Sequence, residues 1–299
     1  KSDNNDVTKS AATATEFGGG ERTNKEGVEQ EPEGNSLESS LELAQKSGRA
    51  TALVTTSQPT HATPAGFYAK SDYRRNYDNI ISNLLTQGVD VIAGSNHTSL
   101  HKKGEDGSDL IIDEFKTQGY NYVTSPEEFY ALDSPPAMLL AKKSKFPYAA
   151  LDTLGLRTDY LARATEKTLE LLGKTGKKGF FMLVEGSHID YTSHDNDIKT
   201  TLGELREFDD AVGVAIDYAE KNPGTLVIIT GDHETGGLAI ISGDTDFTKS
   251  ESGINYSWAT TSHSGTFLPV VAYGTGAENF TGVMENAELG RRVKELMAK

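Results

Sequence analysis

The chain has 299 residues, 36% of them hydrophobic, and its 44 acidic and 29 basic side chains leave a formal charge of -15 with the histidines neutral. An acidic excess of that size disfavours nucleic acid or an anionic membrane as a docking partner, and any site for an anionic substrate must be made positive locally, by metals and arginine. With no cysteine, disulfides and thiolate ligands are excluded, so a zinc ion can be held here only by imidazole and carboxylate.

Apolar runs are spaced along most of the length, which predicts one large domain over residues 1–299 with a loosely built N-terminal stretch. No run approaches the ~18 residues of a membrane span, and the opening KSDNNDVTKS lacks the apolar centre of a signal peptide. In chain order, SAATATEFGGG predicts a short helix closed by glycines, and GERTNKEGVEQEPEGNS a polar loop. Residues 37–46 read as a helix, RATALVTTS as a buried strand, and the stretch after Pro64 through residue 87 as a helix leading into the strand VDVIAG. DLIIDEFKTQG, YVTS and PEEFYAL continue the alternation, followed by the strand AMLLA and a helix over 158–172.

GFFMLVEGS has the unbroken apolar run of a central parallel strand, and after a long helix over 196–221, GTLVIITGDHETGG reads as a second such strand. LPVVAYG and the amphipathic AELGRRVKELM close the chain. Strands alternating with helices predict a three-layer α/β sandwich around a mostly parallel sheet, and no internal repeat is present.

The candidate site lies at the carboxyl ends of these strands, where such folds place chemistry. MLVEGSHIDYTSH carries Glu185, Asp190 and His194, and on a helical turn the last two, four apart, share one face. Asp232 and His233 are adjacent at the next strand end, and His263 in TTSHSGTFLPV precedes another. Imidazole and carboxylate together suit zinc, which lowers the pKa of a bound water to about 7 when one coordination position stays open. Taken singly, each histidine reads equally as a cap or surface residue; three histidines and three acids at three strand mouths point to a metal site. Spacing alone does not fix which ligands share an ion.

The segments VEGSHIDYTSHDND, GDHETGG, THATPAGF and VTKSAATAT resemble the alkaline phosphatases, and the likeness runs from Val7 to the C-terminal helix. It implies a sheet flanked by helices, two zinc ions about 4 Å apart, a nearby magnesium, and hydrolysis of phosphate monoesters through a phosphoserine. By the same resemblance Asp190, His194 and His263 are ligands of the first zinc and Asp232 and His233 of the second. Ser10 is the nucleophile, although the sequence by itself makes it only a helix N-cap. Thr63 and Glu185 are implied as magnesium ligands and Arg74 as the phosphate clamp, a role suited to a guanidinium fork; otherwise Arg74, beside Arg75, reads as a helix-surface arginine. The family further implies a periplasmic or secreted protein and a homodimer.

Three positions and one segment depart from the family pattern. His61 stands where some members have aspartate, so it binds the third metal directly, indirectly, or favours zinc there over magnesium. Tyr191 replaces lysine, histidine or tryptophan and brings a hydroxyl without positive charge. Lys9 replaces the aspartate before the nucleophile, and is expected either to repel Arg74 or to add a cation beside the phosphate. The family's first strand, which ends in an aspartate bridging the second zinc and the magnesium, has no counterpart; Asp3 and Asp6 lie too close to Ser10 to substitute, and the domain is expected to be N-terminally incomplete. Two other functions therefore stand beside the leading one: a zinc- or phosphate-binding member with impaired catalysis, and a phosphodiesterase or sulfatase on the same scaffold.

Overall fold

The structure, a computed structural model, describes residues 2, 7–141, 159–241 and 255–298. Helix α1 (Ser10–Gly19) is built from small and polar residues; all but Phe17 are buried, and Gly20 ends it in the left-handed conformation (φ 77°). The N-terminal stretch expected to be loose is therefore part of the core. Helix α2 (Ser40–Lys46) starts later than expected because Ser39 and Glu42 form a capping box. It leads into strand β1 (Ala50–Thr55).

The helix predicted after Pro64 is two pieces, α3 (Ala62–Ala65) and α4 (Tyr77–Gln87), the second capped by Asn76. Between them the chain bends away to bond the polar loop: Ser71 and Val28 exchange backbone hydrogen bonds of 2.8 and 3.0 Å, and the Arg74 N–H donates to the Glu26 carbonyl at 3.0 Å. Arg74 consequently sits in a loop and not on a helix surface. Next come β2 (Val91–Ser95), α5 (Leu110–Thr117), β3 (Asn121–Val123), α6 (Pro126–Tyr130) and β4 (Ala137–Ala141). Helix α7 (Tyr160–Gly173) and strand β5 (Phe180–Glu185) follow; Thr158, the expected start of the helix, lies outside the described residues. The long helix expected from residue 196 is preceded by a separate turn of helix, α8 (His188–His194), and begins as α9 (Ile198–Lys221). Asn196 is left-handed (φ 53°) and Asp197 caps α9, which is why the two helices do not merge.

Strands β3, β4, β2, β1 and β5 form, in that order, a parallel sheet in which Leu53 of β1 lies opposite Ile92 of β2 and Leu183 of β5. The period of two in each strand divides the core. Leu53, Ile92, Met138 and Leu140 face one cluster with α1, α2, α4 and α5, and Ala52, Val54, Ala93 and Leu139 face another with α6 and α7. Both faces are covered, as the three-layer expectation requires.

The remaining strands are β6 (Leu226–Ile229), β7 (Glu234–Thr235), β8 (Leu238–Ile240), β9 (Tyr256–Trp258), β10 (His263–Ser264) and β11 (Val271–Gly274), and α10 (Asn286–Met297) closes the fold. The expectation that GTLVIITG forms a second central parallel strand is corrected. Strand β6 pairs antiparallel with β11 and, among the described residues, not with β5; the two strands instead face a cavity of about 190 Å³ lined by Met182, Val184, Leu226 and Ile228, with Phe208 of α9 beneath. Beside this cavity β5 and β6, both apolar, are only half-buried. No helix among the described residues is long and apolar enough to cross a membrane.

Candidate metal centre

Helix α8 places Asp190 and His194 one turn apart on the same face, and β10 brings His263 to them; donor atoms of all three lie within 4.8 Å of one another. The tautomers follow from what the other ring nitrogens touch. His194 Nδ1–H donates to the Thr261 carbonyl at 2.8 Å and His263 Nδ1–H to the Thr8 carbonyl at 3.0 Å. A carbonyl only accepts, so each neutral ring keeps its lone pair on Nε2. Those two Nε2 atoms face each other at 3.2 Å, with Asp190 Oδ1 3.4 Å from the first and 3.6 Å from the second. With both rings neutral, three lone pairs converge, a donor set that suits a divalent cation. Tetrahedral zinc with nitrogen and oxygen ligands at about 2.0–2.1 Å separates neighbouring donors by about 3.3 Å, which matches all three edges.

Asp232 and His233 meet Ser10 beside this cluster. His233 Nε2 is 3.1 Å from Asp232 Oδ2 and 3.2 Å from Ser10 Oγ, and its ring stacks on that of His263 with centroids 3.5 Å apart. One hydroxyl joins the two groups. Thr235 Oγ1 donates to Asp190 Oδ1 at 2.5 Å, which leaves its lone pairs to accept from His233 Nδ1–H at 3.2 Å and so directs His233 Nε2 into the site. Where the imidazoles are protonated instead, burial still raises the pKa of Asp190, but hydrogen bonds from His263 and Thr235 and the positive charge of His233 and His194 outweigh it and hold the carboxyl at about 2. Burial likewise opposes ionisation of Asp232 and His233; their mutual attraction wins, with the acid lowered and the histidine raised.

A third pocket lies at the ends of β1 and β5. Glu185 accepts from Thr55 Oγ1 at 2.5 Å and also hydrogen-bonds Thr63. Burial, reinforced by Asp232 and Asp190, raises it to about 7. His61 Nε2 stands 3.2 Å from both Arg74 Nη2 and the Tyr191 hydroxyl, while its Nδ1 is buried with no protein partner. Burial and the Arg74 charge lower His61 to about 4, so the ring is neutral and accepts from both neighbours.

Of the positions singled out in the sequence, Ser10, Asp190, His194, Asp232, His233 and His263 are brought together, and Glu185, Thr63, His61, Arg74 and Tyr191 border them. Lys9 behaves otherwise than expected: its Nζ lies 2.5 Å from Glu26 Oε1, directed to a carboxylate and not to Arg74. Asp3 and Asp6 lie outside the described residues. Sequence reasoning missed Thr8, Thr55, Glu26, Thr235 and Thr261, which hold the site residues in place. Three of them carried a usable signal, since Thr8, Thr235 and Thr261 each stand two residues from a candidate site residue.

The sequence profile of the alkaline phosphatase family matches residues 1–253. Alkaline phosphatase 3 of Bacillus subtilis is 28% identical over 359 aligned residues, covering 96% of this chain and 76% of that protein. The repressible alkaline phosphatase of Saccharomyces cerevisiae is 31% identical, over 88% of this chain and 51% of that one. Among solved structures, the alkaline phosphatase of the Antarctic bacterium TAB5 superposes with a TM-score of 0.87 at 30% identity, covering 99% of this chain and 86% of its own. The cold-active enzyme of a psychrophilic Shewanella gives a TM-score of 0.87 at 26% identity, with 98% and 86% covered. Fold and relatives define a phosphoric monoester hydrolase. The chain belongs to the alkaline phosphatase family.

Proposed function

We propose that this protein hydrolyses phosphate monoesters through a phosphoserine at Ser10, as one domain holding two zinc ions and a third cation. The observation that carries this reading is the facing pair of Nε2 lone pairs on His194 and His263 with Asp190 beside them, placed next to a serine hydroxyl. Asp190, His194 and His263 would hold the first zinc, and Asp232 and His233 the second. Thr63 and Glu185 would hold the third cation, bordered by His61. Divalent ions bound there supply Lewis acidity to the oxygens of serine, water and phosphate.

The chain's own residues do the rest. Ser10 begins α1, so its oxygen stands at the positive end of a ten-residue helix, where negative charge on it is favoured. Arg74, steered by neutral His61, presents its guanidinium to two phosphate oxygens, and Tyr191 adds a hydroxyl at the same His61 nitrogen. Deprotonated Ser10 Oγ forms a bond to phosphorus as the bond to the leaving alkoxide or phenoxide breaks. Water then cleaves the phosphoserine, restoring the hydroxyl and releasing inorganic phosphate. Variants of the TAB5 enzyme with one histidine changed to glutamate or aspartate are described with magnesium in a site called M3. A neutral imidazole at His61 adds no carboxylate to the third pocket, which favours zinc over magnesium there.

Ser10→Ala is expected to reduce turnover of an aryl phosphate to the uncatalysed background while zinc content stays at the parent value. Turnover within a few-fold of the parent would remove Ser10 from the chemistry.

A further inference from the structure

We infer that Glu26 is a positioning residue that straps the Ser10 end of α1 to the loop carrying Arg74. Lys9 is the N-cap of α1, with extended backbone (φ -129°, ψ 162°) and no side-chain cap. Its ammonium leaves the helix end and meets Glu26 Oε1 at 2.5 Å. The carbonyl of the same Glu26 accepts the Arg74 N–H at 3.0 Å. One residue thus touches the neighbour of Ser10 through its side chain and Arg74 through its backbone.

The segment around Glu26 is itself anchored on both sides. Val28 exchanges its two hydrogen bonds with Ser71, next to the Arg74 loop, and the Glu29 N–H donates to Thr15 Oγ1 of α1 at 2.9 Å. Sliding this loop would shift Ser10 and Arg74 relative to each other, and a phosphate that must touch both depends on that spacing. Lys9 and Glu26 are 39% and 34% exposed, so solvent screens their attraction and the pair adds little to global stability. Its consequence is local registry, together with neutralisation of an ammonium one residue from Ser10. Lys9 therefore does not oppose Arg74; it secures the residue that holds Arg74.

Hydrogen exchange on the intact, zinc-loaded chain tests the strap without reference to catalysis. Lys9→Ala and Glu26→Ala should each speed exchange in peptides covering residues 71–76 by about threefold, and the exchanged pair, Lys9→Glu with Glu26→Lys, should return it to the parent rate. Unchanged exchange at 71–76 in Lys9→Ala, or a double variant no better than the faster single variant, would overturn the inference. A kinetic arm rests on the phosphomonoesterase reading: with 4-nitrophenyl phosphate, Glu26→Ala should raise both KM and the inhibition constant of inorganic phosphate by about 3- to 10-fold while kcat stays within about twofold, and the exchanged pair should restore both. A fall in kcat alone would contradict the positioning role. Absence of turnover in the parent would sink the functional reading and leave the exchange result to decide the strap.

Discussion

At the scale of single residues, the site depends as much on hydroxyls and carbonyls around the ligands as on the ligands themselves. Thr235 is the clearest case, because its one hydroxyl holds Asp190 by donating and His233 by accepting. Thr235→Val keeps the shape and removes both bonds, taking one donor from Asp190 and leaving the His233 tautomer unspecified. Zinc affinity, measured by competition with a chelator, should weaken about 10- to 100-fold, and Thr235→Ser should retain it. Equal affinity in the valine variant would show that the hydroxyl is idle. The ligand types and their strand-end placement were legible in the sequence, since carboxylate and imidazole chemistry is local. Which of them come together was not, because His263 reaches His194 across 69 residues of chain and only the fold brings them together. Lys9 was misread for the same reason: its partner Glu26 lies in a polar loop whose path no periodicity predicts.

At the scale of elements, α1 is a buried helix whose small residues allow close approach. A Cβ on Gly290 of α10 would stand 2.0 Å from the Glu16 carbonyl, so the two helices touch backbone to backbone there. Glu16 itself is 2% exposed, and burial raises its carboxyl from 4.5 to about 7. A carboxyl with a raised folded-state pKa contributes stability that is complete below pH 4.5 and lost as pH rises through about 7. Between those values the native state holds a proton the unfolded chain has released. Denaturant unfolding of the metal-free protein should therefore show Glu16→Gln equal to the parent in acid and more stable by roughly 3 kcal/mol above neutrality. A constant difference at all pH values would mean that Glu16 is not carrying that proton. Helix types were largely legible from apolar spacing, yet their limits were not. The break between α3 and α4 is imposed by hydrogen bonds to residues 26–28, and that between α8 and α9 by a left-handed Asn196.

At the scale of the whole molecule, the parallel layer was readable because its strands are continuous apolar runs, and burial on both faces demands that pattern. Strand β6 carries the same signal but stands apart from β5 across the cavity, since apolar content predicts that a strand is covered and not which edge covers it. In the proposed arrangement the acidic excess poses no obstacle to phosphate, because Arg74 and the cations that the imidazoles and carboxylates would hold make the site locally positive. The central claim is that this mouth transfers a phosphoryl group to Ser10, and acid quenching of the zinc-loaded protein during turnover of an aryl phosphate, with peptide mapping by mass spectrometry, tests it most directly. The account predicts one phosphoryl group, on Ser10; turnover that leaves Ser10 unmodified, or that places phosphate on another residue, would contradict it.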